Sequence, residues 1–410
     1  MKKIFYGLLI LLILGLGIFS LNIYYSNPNI SSGNLKSQQV SKKADGKKEN
    51  KKNNKKSDKK EEQVYRTKIW ATGDIMYHMP LYKNSYNMEK QEYDFTSYYQ
   101  KVKEYLDGAD IVVGNLETSI NPNKQLSGFP LFNTPPEAIK YLKESGFDIL
   151  STVNNHCLDT GLEGISTTID AIDANGLKHF GTYKDAKRDP VIIESNNIKV
   201  GFIGYSDIFN GMDSLVSGNE FMISPLKEDL IIEDISKLKN AGVDYIIAYP
   251  HWGIEYSKVP DEKQKYFEDF MIKNGVDAIL GSHPHVLQET SYKQVDGKNI
   301  FTIYSMGNSI SNQKKRWIGR DGVESGVFVE LNLVKEDGKT KLENYNLFPT
   351  YVNSYIDEKG IRKSEVVLYY DILEGGKYRD NLTSESKNFV DNEYEKVLQT
   401  LNGKKEEPAS

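Results

Sequence analysis

The sequence predicts a layered α/β fold with mixed sheets, and three observations carry that expectation. Apolar extended runs alternate with runs of helical period from about residue 68 to about 280. Strand-rich stretches then follow, two of them joined by the hairpin turn Glu336-Asp337-Gly338-Lys339. The extended runs also stop at polar residues, and four of the six histidines (His156, His251, His283 and His285) fall at such ends. Helical connections between apolar strands give parallel pairing, and the closing hairpins add antiparallel strands.

Ahead of this region, residues 4–25 form an apolar run after Met1-Lys2-Lys3, closed by Tyr24 and Tyr25. Its length suits a bilayer, which takes roughly 20 residues, and no Ala-x-Ala site ends it. Residues 1–25 therefore read as a retained signal anchor, a transmembrane helix; a cleaved signal peptide is the alternative. Cys157 is the sole cysteine, which leaves neither a lipoprotein anchor nor an intrachain disulfide. Lys2 and Lys3 favour a cytoplasmic N-terminus, so the expected protein is single-pass in the cell membrane with its C-terminal domain extracytoplasmic. Residues 26–63 hold Ser, Asn, Gln and Lys with almost no apolar side chain, too little to offset ordering entropy, and read as a disordered Lys-rich tether. Residues 1–60 carry 13 Lys against 3 acidic residues, while the whole chain nets −5, which leaves about −15 on the remainder. An acidic globule argues against a nucleic-acid partner.

Within the globular region, 64–352, the segments read in order as follows. Residues 68–76 are extended, 98–106 helical by apolar period, and 111–117 extended. Residues 135–144 are helical, with Pro in the first turn and Gly146 as the stop. Residues 149–153 are extended and 162–175 helical. Residues 191–194 and 199–205 flank Asn196-Asn197 as a hairpin. Residues 226–240 are helical, 245–249 extended, 262–273 helical, and 278–280 extended. Strands at 299–304, 326–334 and 341–348 close the series. Residues 353–410 read as a C-terminal extension with a strand-like 366–373 and then a polar helical stretch.

Five strand ends gather groups that bind cations: Gly73-Asp74, Asn115-Leu116-Glu117, Asn154-Asn155-His156, His251-Trp252-Gly253, and Gly281-Ser282-His283-Pro284-His285. On an extended chain, residues i and i+2 share a side, so Asn115 pairs with Glu117 and His283 with His285. Open α/β sheets place ligands at the carboxyl ends of their strands. The candidate ligand set is Asp74, Glu117, Asn155, His251, His283 and His285. Carboxylate, amide and imidazole donors without thiolate suit divalent Mn, Fe or Zn. A carboxylate able to bridge suggests two ions about 3.5–4 Å apart, as used for phosphoester hydrolysis. Trp252 is placed either to stack on a substrate or to pack over the site. His179 reads as a sheet-edge residue and Cys157 as a small core hydrophobe. No nucleophile-elbow, Walker A, His-Glu-x-x-His or dinucleotide fingerprint occurs.

Together the five motifs resemble those of the CapA family of capsule-synthesis proteins, associated with poly-γ-glutamate, which is similar to the calcineurin-like metallophosphoesterases. The resemblance covers about residues 66–352. It implies a four-layer α/β/β/α sandwich of the metallophosphoesterase type with a dinuclear centre between the sheets. It places Asp74 and His285 on the first metal, His251 and His283 on the second, Glu117 as the bridge, and Asn155 as the amide ligand. His156 would be the catalytic group that stabilises charge or protonates the leaving group. Asn154 and Ser282 flank these positions, and Asn308 enters through the turn Ser305-Met306-Gly307-Asn308-Ser309. The phosphoesterase pattern Asp-x-His is broken by Met76, which leaves His78 or water to fill the first site. The function implied is a metal-dependent hydrolase-like protein acting on an anionic polymer such as poly-γ-glutamate, with membrane synthase subunits as partners. A non-enzymatic partner of a polymer synthase and a secreted nucleotidase or phosphoesterase are the alternatives.

Overall fold

The computed structural model describes residues 63–403. The expected anchor at 1–25 and nearly all of the tether at 26–63 lie outside them. Among the described residues no helix is long and apolar enough to cross a membrane.

The protein is a mixed α/β fold built on two sheets. Its principal strands are β1 (Tyr65–Ile75), β2 (Ile111–Leu116), β3 (Ile149–Ser151), β4 (Lys178–Phe180), β5 (Val191–Ser195), β6 (Ile198–Ser206), β7 (Tyr245–His251), β8 (Ala278–Leu280), β9 (Thr290–Val295), β10 (Lys298–Ile303), β11 (Asn308–Ile310), β12 (Ser325–Glu336), β13 (Lys339–Ile356) and β14 (Arg362–Leu368). The first sheet runs β14-β13-β12-β1-β2-β3-β4, with β11 pairing β1; the second runs β9-β10-β8-β7-β6-β5. The main helices are α1 (Glu137–Ser145), α2 (Gly161–Ala174), α3 (Glu228–Asn240), α4 (Glu262–Asn274) and α5 (Ser384–Leu401).

Strand pleating sorts the side chains into layers. Ile69 and Ala71 of β1 and Ile111 and Val113 of β2 meet Val200, Phe202 and Ile247 of the second sheet in one buried cluster. Trp70 and Val112 point the other way, onto Ala138, Ile139 and Leu142 of α1. Ile203, Ile246 and Ile279 of the second sheet face outward onto α3 and α4. Helix ends follow the local chemistry. Gly146 and Gly275 take φ 108° and 110°, the left-handed conformation that closes α1 and α4. Asp261 and Gln264 form a capping box at the start of α4.

The structure corrects the sequence reading at several elements. The helix expected over 98–106 is a 3-10 turn, Thr96–Tyr98, and a short helix, Lys103–Leu106. Tyr98 and Tyr99 are both buried, and their hydroxyls bond different partners, Ser85 at 3.0 Å and Ser309 at 2.9 Å. One helical face cannot serve both directions. β13 runs on past the expected end at 348, through Pro349 to Ile356. Its pairing with β14 begins only at Thr350, so Pro349 is spared a donor on that side. The boundary drawn after residue 352 falls inside this strand. The strand-like reading of 366–373 becomes the end of β14 followed by a helical turn, Tyr369–Ile372. Beyond it, Val390, Val397 and Leu401 of α5 pack into the inter-sheet cluster. β9 escaped notice because its sequence, Thr-Ser-Tyr-Lys-Gln-Val, is a largely polar sheet edge.

Candidate metal centre

The strand ends converge because the registers align them. Asp74 sits opposite Asn115 on one side and Asn308 on the other. In the second sheet His251 sits opposite Ser206, and a bridge joins it to Ser282. Close backbone approaches hold these tips. A Cβ at Gly73 would lie 1.9 Å from the Gly307 carbonyl oxygen, and one at Gly281 would lie 2.1 Å from that of Tyr304. Only glycine allows either contact.

The two histidines after β8 are brought together differently from the expected pleat. The strand stops at Leu280. His283 takes φ 98° and His285 φ 58°, a region that costs a non-glycine residue of order 1–3 kcal/mol. These turns, rather than an extended i and i+2 geometry, set the ring centroids 6.1 Å apart.

Asp74 Oδ1 accepts from Asn115 Nδ2 at 2.8 Å, and its Oδ2 lies 3.1 Å from His285 Nδ1. His251 Nε2 lies 2.9 Å from Asn155 Oδ1 and 3.0 Å from His283 Nδ1. Its Nδ1 lies 3.1 Å from Ser282 Oγ and 3.3 Å from Asn115 Nδ2. Glu117 Oε1 lies 3.6 Å from His285 Nε2 and 3.7 Å from His251 Nε2. All six candidate ligands are buried.

Among the described residues, the donors form two groups that could hold a metal ion: Asp74, Glu117 and His285, and Glu117, His251 and His283. Glu117 belongs to both. Within each group the donor atoms lie within 4.8 Å of one another. Both Glu117 oxygens are buried without a hydrogen-bond partner, a costly state for a carboxylate unless a cation or a proton compensates it. Burial and the neighbouring Asp74 carboxylate hold the Glu117 carboxyl well above its usual range. Burial, reinforced by neighbouring imidazoles, pushes His251 well below its ordinary value and His283 down to about 3. Neutral imidazoles are the form that ligates. The residues present fit a divalent cation pair sharing Glu117.

Around this set the other candidates have distinct places. Asn154 Nδ2 donates to the Leu116 carbonyl at 2.9 Å, and its Oδ1 accepts from the His156 amide at 3.1 Å, tying two strand ends together. Asn308 Nδ2 donates to the carbonyls of His285 and Val323. Trp252 is fully buried in the helix-side cluster, and its indole donates to the Tyr304 carbonyl at 2.9 Å. It packs beneath the turn and is not exposed for stacking on a substrate. Met76 is buried, with its amide on the Ile310 carbonyl. His78 is outside both donor groups, and its Nδ1 accepts from the Asn312 amide at 3.3 Å.

The sequence reading missed the support of His156. Its Nδ1 lies 2.8 Å from Asp159 Oδ2, and Asp159 also accepts from the Phe132 amide at 2.6 Å. The Phe132 ring stands edge-on to both His156 and His78, at 4.7 and 5.2 Å. The His-x-x-Asp spacing was the available signal.

Compared with known proteins, residues 68–313 match the family model described as bacterial capsule synthesis protein PGA_cap. The chain is 31% identical over 228 residues to the capsule biosynthesis protein CapA of Bacillus anthracis, covering 52% of this chain and 54% of that protein. It is 29% identical over 253 residues to the PGA biosynthesis protein CapA of Bacillus subtilis, covering 60% of this chain and 63% of that protein. The chain thus spans about half to three-fifths of these curated relatives. Among solved structures, the calcineurin-like phosphoesterase YfkN of Bacillus subtilis aligns with TM-score 0.44 and 19% identity, covering 82% of this chain and 100% of that one.

Proposed function

The chain belongs to the bacterial capsule synthesis protein family PGA_cap, and from that premise we propose that it serves the synthesis, export or anchoring of an anionic capsule polymer such as poly-γ-glutamate. In this reading it works outside the cell membrane, held by residues 1–25, within an α/β/β/α layering of the metallophosphoesterase type. Membrane synthase subunits are its partners. The observation that carries a hydrolase-like centre is the shared, buried and unpartnered carboxylate of Glu117.

Asp74, Glu117 and His285 would hold one divalent ion, and Glu117, His251 and His283 the other, with the Asn155 carbonyl alongside. Ions bound there would supply Lewis-acid polarisation of a phosphoester or amide oxygen. The rest is the work of the chain itself. Asp159 accepts a hydrogen bond from Nδ1–H of His156, which leaves Nε2 to carry a proton to the leaving atom. Asn154 fixes the His156 backbone against Leu116, so the ring keeps its place relative to Glu117. A second reading, in which the centre grips carboxylates without turnover, is favoured by Met76, whose buried position leaves the first donor group without a second imidazole.

The test is metal analysis with hydrolysis assays on wild type, Glu117→Gln, His283→Ala and His156→Ala. Wild type supplied with Mn, Fe or Zn should retain metal. Glu117→Gln and His283→Ala should lose metal and activity together. His156→Ala should keep its metal and lose roughly 10²–10⁴-fold in rate. A wild type that holds no metal would sink the centre. Full metal loading with no turnover of any phosphoester or γ-glutamyl amide would favour the second reading. Peptide mapping of membrane-extracted protein should find residues 1–25 still attached.

A further inference from the structure

The globular part of the chain is acidic, yet one exposed loop at the edge of the centre is strongly basic. Residues 314–320, Lys-Lys-Arg-Trp-Ile-Gly-Arg, hold four cations in seven positions; Lys314 is buried and donates to the Val352 carbonyl, which leaves Lys315, Arg316 and Arg320 exposed. The loop is built onto the site. Its approach carries Asn312, whose amide donates to His78 Nδ1, and Gln313, whose side-chain oxygen accepts from Asn308 at 3.0 Å. Tyr256 stands between loop and centre. Its ring centroid is 6.0 Å from that of His285, and the Arg320 guanidinium lies over the same ring, 5.6 Å from its centroid. Trp317, 49% exposed, has the guanidinium of Arg316 at 4.8 Å and that of Arg362 at 5.7 Å.

The two carboxylates of the loop itself are engaged or turned inward, whereas exposed Glu255 stands next to Tyr256. Asp321 pairs with Lys315, and the largely buried Glu324 accepts from the Lys315 amide. Among the described residues, Arg316, Arg320 and Arg362 have no carboxylate within ion-pair distance, and neither does exposed Lys258. Lys258 lies close to the same loop at Gly322. Guanidinium groups held against aromatic faces keep their planar forks pre-ordered for carboxylates. A row of unpaired cations on an acidic body concentrates polyanions locally.

We infer that Arg316, Trp317, Arg320 and Arg362, with Lys258, form a recruiting lip that binds an extended polycarboxylate chain and delivers it past Tyr256 to the centre. This rests on the reading of the substrate as an anionic polymer, but the lip makes contacts of its own, separate from the metal ligands. The spread of cations fits a chain with repeating side carboxylates better than one small anion, which would meet a single guanidinium.

The test measures binding of fluorescently labelled poly-γ-glutamate to the full-length chain, with polyphosphate and free glutamate as comparators. Wild type should bind the polymer, prefer it to polyphosphate, ignore free glutamate at matched carboxylate concentration, and lose affinity as salt rises. Arg316→Gln/Arg320→Gln/Arg362→Gln should weaken polymer binding roughly tenfold or more, since three ionic contacts are lost. Metal content should be unchanged. Arg320→Gln alone, a milder change on a side chain without an ion pair, should weaken it several-fold and guards against a folding defect in the triple variant. Polymer affinity unchanged in both variants would overturn the lip, and a preference for polyphosphate would overturn the polycarboxylate assignment. Glu117→Gln separates this inference from the centre: it should bind polymer as wild type does. Loss of polymer binding in Glu117→Gln alone would put recognition at the centre and overturn the lip.

Discussion

At the scale of single residues, the centre is a set of polar groups kept dry and held by one another. His78 illustrates what that burial does to stability. It lies half-buried beside Phe132, and burial, with the nearby His285 ring, pushes its imidazole down to about 4. In the unfolded chain it titrates near 6.5. The unfolded state therefore takes up a proton first, so stability is fully present above about pH 6.5 and falls as pH drops toward 4. With a discount for partial exposure, the loss is about 2 kcal/mol. Urea unfolding of metal-free wild type and His78→Gln at pH 7, 5.5 and 4 should show the wild-type advantage shrinking by that amount toward acid. Parallel pH curves would rule out the titration of His78 as the cause.

At the scale of elements, the centre depends on how closely strand tips approach their neighbours. Gly281 ends β8 against the Tyr304 carbonyl and the Trp252 indole. A methyl group there must push the turn bearing His283 and His285 away from β10. Gly281→Ala should cost about 3 kcal/mol, near the upper end of ordinary overpacking, and should reduce metal retention as well. Gly176, past the end of α2, has positive φ (70°), which Gly281 does not, and has nothing within 4 Å of an added Cβ. Gly176→Ala should cost about 1 kcal/mol, the backbone penalty alone, with metal retention intact. Equal losses in the two variants would show that the close approach is unimportant. The same elements explain the misread helix over 98–106. Apolar period signalled burial correctly, but two tyrosines with separate polar partners broke the segment into turns.

At the scale of the whole molecule, the described chain from Gln63 onward forms one compact unit. β14 pairs with β13 over seven positions, from Thr350↔Leu368 to Ile356↔Arg362. α5 covers part of the inter-sheet cluster with Val390, Val397 and Leu401. Ending the chain at residue 352 would cut β13, strip its partner strand and expose that cluster. A 63–352 fragment should therefore aggregate or melt without cooperativity, whereas 63–403 should melt in a single transition. Calorimetry with size-exclusion chromatography of both fragments checks this, and a soluble, cooperatively melting 63–352 fragment would show the C-terminal region to be dispensable.

Period and punctuation in the sequence were enough to determined the alternating α/β order, because buried strands and amphipathic helices must repeat at different intervals to cover a core. They also marked the five polar strand ends from which the candidate donors come. Some features are properties of space rather than order. The division of donors into two groups around Glu117 needs two sheets facing each other, with Asp74 on β1 and His251 on β7 brought together across them. The left-handed turns at His283 and His285 run against side-chain preference and hold only because surrounding contacts fix them. Asp159 stands three residues after His156, but that spacing alone does not set it apart from other carboxylates near a helix start. Burial and the shared Phe132 amide give it its role. The basic loop at 314–320 belongs to no motif that the sequence ties to the centre. Tertiary structure alone sets it beside Tyr256 and the centre, because electrostatic recognition depends on distances that local sequence does not encode.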